Sequence, residues 1–343
     1  MSVDAHSDPG RPAQAESGRG PEHVLAPLNQ PLVCPVLVGR EAQVATLARD
    51  LDEARRGAGR TILVAGEAGI GKSRLVAAAK VRAAAVGCQV LQGTCFEPDR
   101  TLPYAPLLDL MRAFLGAHDP AKVAELLGPA AGELVKLVPE LAARLPGLVP
   151  TPPLDPEQEK RRLVLALVQV LEGLAAERSL LAVVEDLHWC DETSLEVLHA
   201  LARRIGTQPI LLVLTYRSDE VHPVLRHFLA GLDRERLAVE MPLGRLTADG
   251  VEAMVRAIFD LRRPVRLDFL EAIYGLTEGN PFFVEEVLKS LVAAGEIFYA
   301  DGGWDRKPLD QLDIPRSVQD AVQRRAAALG PSAREVLTLA AVA

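Results

Sequence analysis

The sequence predicts an α/β fold, a parallel sheet covered on both faces by helices, with a run of helices after it. Two observations carry this expectation. Short apolar, β-branched runs alternate with helical repeats between residues 61 and 241, the pattern of strand–crossover–strand units. Beyond Met241 the strand pattern stops, and 247–294 read as three helices.

Residues 1–33 are rich in Pro, Gly, Ser and Ala with no periodicity, which predicts a disordered tail. Order begins near Val36. Val44, Leu47, Ala48, Leu51 and Ala54 recur at helical spacing, and Gly57 and Gly59 stop that helix. The run 61–65 is a glycine-bounded buried strand, followed by a helix over 73–85 and a second strand at 89–93. From Cys95 to about Pro153 the chain reads as short helices broken by proline, and a longer helix covers 156–177. Strands follow at 180–184, 210–214 and 237–241, with a helix over 193–204 between the first two. A small hairpin is expected at 295–304 and a helix over 314–329. Gly330-Pro331 opens another helix that is still running at Ala343, which suggests a piece of something longer, or an early-terminating version of it. The expected domains are a tail (1–33), a sheet domain (34–243), a helical lid (244–310) and the start of a winged-helix-like segment (311–343).

Apolar residues form 49% of the 343-residue chain, enough for a large core. Aromatics form only 4%, so Leu, Val and Ala must fill it. Lys and Arg total 38 against 46 Asp and Glu, a net charge of -8. Nucleic-acid binding through phosphates needs a basic surface, so the overall balance argues against specific DNA binding by this stretch, with a local basic patch left open. The four cysteines form no Cys-x-x-Cys pair and no His cluster has metal-ligand spacing, which reads as reduced thiols in the cytoplasm. No apolar run has membrane-spanning length and the N-terminus lacks signal-peptide character, so no membrane partner is expected.

Gly66-Glu67-Ala68-Gly69-Ile70-Gly71-Lys72-Ser73 lies between a strand and a helix. That is the context in which Gly-x-x-x-x-Gly-Lys-Ser cradles phosphates. The glycines let backbone N–H groups turn inward, with the positive end of the helix behind them. Lys72 can reach the β- and γ-phosphates, and the Ser73 hydroxyl can sit on Mg²⁺. A plain glycine-rich turn rarely carries Lys-Ser at this offset. ATP or ADP with Mg²⁺ is therefore the expected ligand.

Such a site needs carboxylates at the tip of a neighbouring strand, and Glu185-Asp186 stands where one ends. Alone, the pair also reads as a solvated acidic loop. Gly279-Asn280-Pro281 reads as a helix junction, with Gly ending one helix, Asn capping the next and Pro in its first position. A nucleotide contact is the other reading of that junction. Arg217 is either a surface arginine paired with Asp219 or Glu220, or a cation at the fourth strand's end. Trp189 reads as packing and His188 as structural, with no partner to make it a base. Arg203 and Arg204 suit a helix C-terminus; an arginine finger acting on a second copy is the alternative.

Val183-Val184-Glu185-Asp186-Leu187-His188-Trp189-Cys190-Asp191 resembles the signature of the signal-transduction ATPases with numerous domains (STAND), and more narrowly of the large LuxR-type (LAL) transcriptional regulators. The resemblance covers most of 36–343. It implies a P-loop NTPase sheet with strand order 5-1-4-3-2. Val38-Gly39-Arg40-Glu41 is similar to the family's first motif, which implies that Arg40 lies on the adenine side. Thr215-Tyr216-Arg217 is similar to its sensor motif, with Arg217 toward the γ-phosphate. Gly279-Asn280-Pro281-Phe282-Phe283 is similar to its lid motif, in which Pro281 touches the base.

The nucleotide-binding set is then Arg40, Gly66, Glu67, Ala68, Gly69, Ile70, Gly71, Lys72, Ser73, Arg74 and Pro281. The catalytic set is Glu185, Asp186 and Arg217, with Mg²⁺ held indirectly by Ser73 and Glu185. The family more often has Asp followed by Asp or Glu at the strand tip. Glu185 then Asp186 puts one methylene too many on the first carboxylate and one too few on the second. Slow hydrolysis follows, and which residue does which job stays open. The expected function is an ATP-dependent signalling switch, the ATPase module of a LuxR-type regulator, taking an unknown protein or small-molecule inducer through further domains. Self-association is left open. The alternatives are the module of a cyclase-linked protein, a nucleotide-binding scaffold without turnover, and a P-loop kinase for a small molecule. The last would need an acceptor pocket and a base that the sequence does not offer.

Overall fold

The computed structural model describes residues 32–300 and parts of 303–336. One compact unit spans Val33–Val287, and the described residues from Leu288 onward belong to a second. The tail expected over 1–33 falls, for residues 1–31, outside the described residues. So does most of the winged-helix-like segment expected at 311–343.

In the first unit α1 (Glu41–Ala54) precedes β1 (Arg60–Gly66), α2 (Lys72–Ala85) and β2 (Gln89–Thr94). A stretch of short helices follows: α3 (Ala105–Ala117), α4 (Pro120–Leu127), α5 (Ala131–Leu134) and α6 (Glu140–Arg144). Then come α7 (Pro156–Glu177), β3 (Leu180–Glu185), α8 (Glu192–Ala202), β4 (Ile210–Arg217), α9 (Pro223–Arg234) and β5 (Ala238–Pro242). Two helices follow, α10 (Ala248–Phe259) and α11 (Leu267–Thr277), and then α12 (Pro281–Ala293), whose first seven residues belong to this unit.

All five strands are parallel, in the order β2-β3-β4-β1-β5. This is the expected 5-1-4-3-2 read from the other edge. The fold is that of P-loop NTPases. Side chains alternate across each strand, so one sequence run feeds two cores. Ile62, Val64, Leu181, Val183, Leu211 and Val213 join Leu47, Leu51 and Leu75 of α1 and α2. Leu63, Ala65, Ala182, Val184, Leu212 and Leu214 join Phe114, Leu171, Leu198 and Leu232 on the other side. Burial on both faces explains why β3 and β4 read as unbroken apolar runs. At the sheet edge, Val239 and Glu240 of β5 are exposed and Met241 is buried.

Helix starts follow local chemistry. Asp155 accepts from the Gln158 N–H ahead of Pro156, Asp191 from the Ser194 N–H, and Thr247 from the Gly250 N–H. The sequence reading placed nothing between Leu214 and Leu237, where α9 forms. Its signals were Pro223 in the first turn and apolar residues at Leu225, Phe228 and Leu232, all now in or against the core. Among the described residues no helix is long and apolar enough to cross a membrane.

Phe114 is fully buried at the centre of the larger core. Phe114→Ala is expected to lower stability by about 3–5 kcal/mol, read as a shift in urea midpoint. A change below ~1 kcal/mol would mean that α3 is not packed as described.

In the second unit β6 (Ile297–Ala300) pairs antiparallel with β7 (Gly303–Arg306). This is the expected hairpin, with the Tyr299 and Trp304 rings edge to face at 5.7 Å.

Candidate nucleotide site

β1 ends at Gly66 and α2 begins at Lys72, so Glu67–Gly71 must reverse the chain within one turn. Gly69 and Gly71 do so at φ +74° and +102°, values that favour glycine. Gly71 stands as the N-cap of α2 without a side chain, which leaves the first N–H groups of the helix facing the loop. Lys72 is buried. Its Nζ donates to the Gly66 carbonyl at 2.8 Å and the Glu67 carbonyl at 2.9 Å. Burial lowers its pKa, and the Asp186 charge opposes that shift most strongly.

The loop opens on a cleft of about 290 Å³. Gly69, Lys72, Ser73, Asp186, Arg217 and Pro281 are among the residues that line it. The sequence-predicted phosphate, carboxylate, cation and lid residues therefore converge on one space. Register explains part of this, because Arg217 sits directly beside Gly66 in the β1–β4 ladder.

The two strand-tip carboxylates part company. Asp186 is in the left-handed region at φ 63°, and its N–H donates to Thr215 Oγ1 at 3.0 Å. That turn carries Asp186 to the cleft wall. Glu185 is buried, and its Oε1 accepts from Gln92 Nε2 at 2.8 Å. Gln92 Oε1 accepts in turn from Lys80 Nζ. Sequence reading missed Gln92, since nothing local marks it. Thr215 was noticed only as part of a motif. Its buried hydroxyl now has a definite task in fixing the Asp186 backbone.

Arg217 Nη1 pairs with Glu220 Oε1 at 2.5 Å, and its guanidinium carbon lies 4.9 Å from the centre of the Trp189 ring. Trp189 is therefore a cation–π platform as well as a packing residue. His188 does have charged neighbours, unlike the sequence expectation. Its Nδ1 is 4.0 Å from Asp186 Oδ1 and its Nε2 is 3.8 Å from Glu220 Oε2. Arg203 is engaged by Glu235 and Arg204 by Glu172, each through two hydrogen bonds.

On the lid side, buried Asn280 donates from Nδ2 to the Ala68 carbonyl at 3.0 Å. Its Oδ1 accepts from the Phe282 N–H at 3.1 Å, and the same N–H reaches the Gly69 carbonyl at 3.3 Å. The helix junction and the loop contact are thus one structure, since Asn280 caps α12 and holds the phosphate loop together. A Cβ on Gly69 would lie 2.6 Å from Phe282 Cβ. Arg245 adds an ion pair to Glu67 at 3.0 Å and another to Glu278.

The Arg40 guanidinium donates to the Ile70 carbonyl at 3.2 Å and the Gly244 carbonyl at 2.6 Å. It ties the loop to the segment after β5. Arg74 contacts the Cys34 and Val36 carbonyls and Glu285. Both arginines, with Pro281 and Met254, line a second cleft of only about 20 Å³.

A glycine cradle at a helix N-terminus, a lysine within it and a carboxylate facing it on a five-stranded parallel sheet define a P-loop nucleotide-binding ATPase module. The chain belongs to the AAA ATPase domain family, whose model matches residues 36–213. An uncharacterized protein of Rhizobium meliloti (strain 1021) is 29% identical over 266 residues, covering 73% of this chain and 24% of the relative. The chain therefore spans about a quarter of the length of that relative.

Among solved structures, the chain is similar to the Walker-type ATPase of Pyrococcus abyssi (TM-score 0.49, 16% identity, 88% of this chain and 74% of that one). It is also similar to a STAND protein with a tetratricopeptide repeat sensor from Pyrococcus horikoshii (0.44, 13%, 92% and 36%). A third is the Aeropyrum pernix Orc1 protein in complex with DNA (0.44, 16%, 88% and 68%).

Proposed function

We propose that this chain is the ATPase module of a signalling switch of the STAND type, within a regulator resembling the LuxR-type (LAL) proteins. One observation carries the switch. The carbonyls of Ala68 and Gly69, in the phosphate loop, are hydrogen-bonded to Asn280 and Phe282 at the start of α12. A ligand that reshapes the loop must alter the hold on that helix. The coupling can be no larger than the difference in ligand affinity between the two arrangements.

Lys72, the α2 N–H groups and Arg217 offer positive charge to the cleft, as a triphosphate requires. Ser73 and Asp186 supply oxygen donors in the same cleft, a set that suits a hard divalent cation such as Mg²⁺. When bound, Mg²⁺ would neutralise phosphate charge there. Glu185 joins them once Gln92 releases it, which divides the two carboxylates by environment. Base entry beside Arg40 and Pro281 requires the narrow second cleft to widen. Slow hydrolysis fits an Asp186 carboxylate one methylene shorter than the Glu often found at that position.

The experiment is a pair of measurements on Asp186→Asn. Turnover of ATP to free phosphate is expected to fall about 10- to 100-fold, while ATP affinity changes less than about threefold. Equal turnover in variant and parent means that another group orients the water. Phosphate appearing on an acceptor, instead of free in solution, would favour a kinase.

A further inference from the structure

Glu220 is shared. Its Oε1 takes Arg217 at 2.5 Å, and its Oε2 points toward His188 Nε2 at 3.8 Å. The His188 side chain is fully buried, and neither ring nitrogen has a hydrogen-bond partner among the described residues. A buried imidazole with both nitrogens unmatched is costly, by roughly 1–3 kcal/mol per orphaned group. Such a group calls for an explanation, and a change of partner during function is one. The His188 ring packs on Trp189 at 4.4 Å between centroids, and Trp189 also carries the Arg217 guanidinium. The Arg217 guanidinium and the His188 imidazole therefore share one indole, with Glu220 reaching both of them and Asp186 Oδ1 4.0 Å from the other ring nitrogen of His188.

We infer that Glu220 and His188 are positioning residues that hold and release Arg217: Glu220 restrains the guanidinium until a γ-phosphate competes for it, and His188 Nε2–H takes over the Glu220 carboxylate when Arg217 turns to that phosphate. The inference rests on the proposed ATP site, and in particular on Arg217 meeting the third phosphate. A diphosphate gives Arg217 nothing to exchange for Glu220, so ADP leaves the pair closed. Discrimination between ATP and ADP then depends on two residues that never touch the nucleotide.

The chain has two tryptophans, Trp189 and Trp304, so a Trp304→Phe background leaves Trp189 as the only indole. In that background ATP is expected to change Trp189 emission as Arg217 leaves the ring, and ADP is expected not to. Glu220→Gln, with no charge to restrain Arg217, is expected to raise the ATP/ADP affinity ratio about fivefold in calorimetry. His188→Phe keeps the buried ring without the donor and is expected to lower the ratio by a similar factor.

The decisive arm is the double variant. In a Glu220→Gln background His188→Phe is expected to change little further, because no carboxylate is left there to restrain Arg217 and the imidazole has no restraint to relieve. A structural His188 would lower the ratio equally in both backgrounds, and that result overturns the inference. An unchanged ratio in Glu220→Gln overturns it as well, even if His188→Phe fails to fold. A parent that binds ATP and ADP alike removes the assignment of Arg217 to the γ-phosphate. A parent that binds neither removes the proposed function itself.

Discussion

Lys72→Ala is expected to weaken ATP binding by about 100-fold in calorimetry with excess magnesium. Its buried ammonium is held by the loop itself, donating to the Gly66 and Glu67 carbonyls. A hydrogen bond to a charged group contributes about 1.5–3 kcal/mol. At 1.4 kcal/mol per tenfold, losing it against two phosphates reaches that factor. The methyl of alanine also leaves two carbonyl oxygens facing the space an anion must fill. Burial already disfavours the Lys72 charge, which Asp186 helps to restore. A phosphate supplies more negative charge at the same place. An affinity within threefold of the parent would sink the phosphate-loop assignment, and the switch with it.

Gly279→Ala is expected to lower stability by about 3 kcal/mol, the sum of left-handed strain and a lost backbone bond. Gly279 lies at φ +78°, and a Cβ there would stand 2.1 Å from the Leu246 carbonyl oxygen. Leu246 cannot step aside freely, since its own N–H donates to the Gly279 carbonyl at 2.8 Å. Any shift also moves Asn280, and with it the bond to Ala68, so ATP affinity is expected to fall in the fraction that folds. Gly275→Ala in α11 is the control. Nothing lies within 4 Å of its added Cβ, so a change near zero or a gain of about 0.5–1 kcal/mol follows. Equal urea midpoints for Gly279→Ala and the parent would mean that the α11–α12 junction is looser than described.

The phosphate loop and its flanks were legible because their information is local. A strand, a glycine-rich reversal and a lysine in the first helical turn are adjacent in sequence, and backbone sterics tie them together. The same holds for α7, whose start is written in Asp155-Pro156, and for strands buried on both faces. The strand order came instead from the resemblance carried by the acidic tip. α9 escaped notice although its proline and apolar spacing were present. Two parallel strands need a crossover between them, and α9 is that crossover.

The composition and short-range pattern of this chain were enough to specify a parallel sheet and an anion cradle, since both depend on neighbours along the backbone. Only the folded molecule decided that Asp186, and not Glu185, reaches the cleft, because Gln92 is 93 residues from Glu185 and meets it through the β2–β3 register. Asn280 reaches Ala68 across 212 residues, and Glu220 meets His188 where the loops after β3 and β4 come together. Such contacts are set by how strands align and pack, which no stretch of adjacent residues encodes.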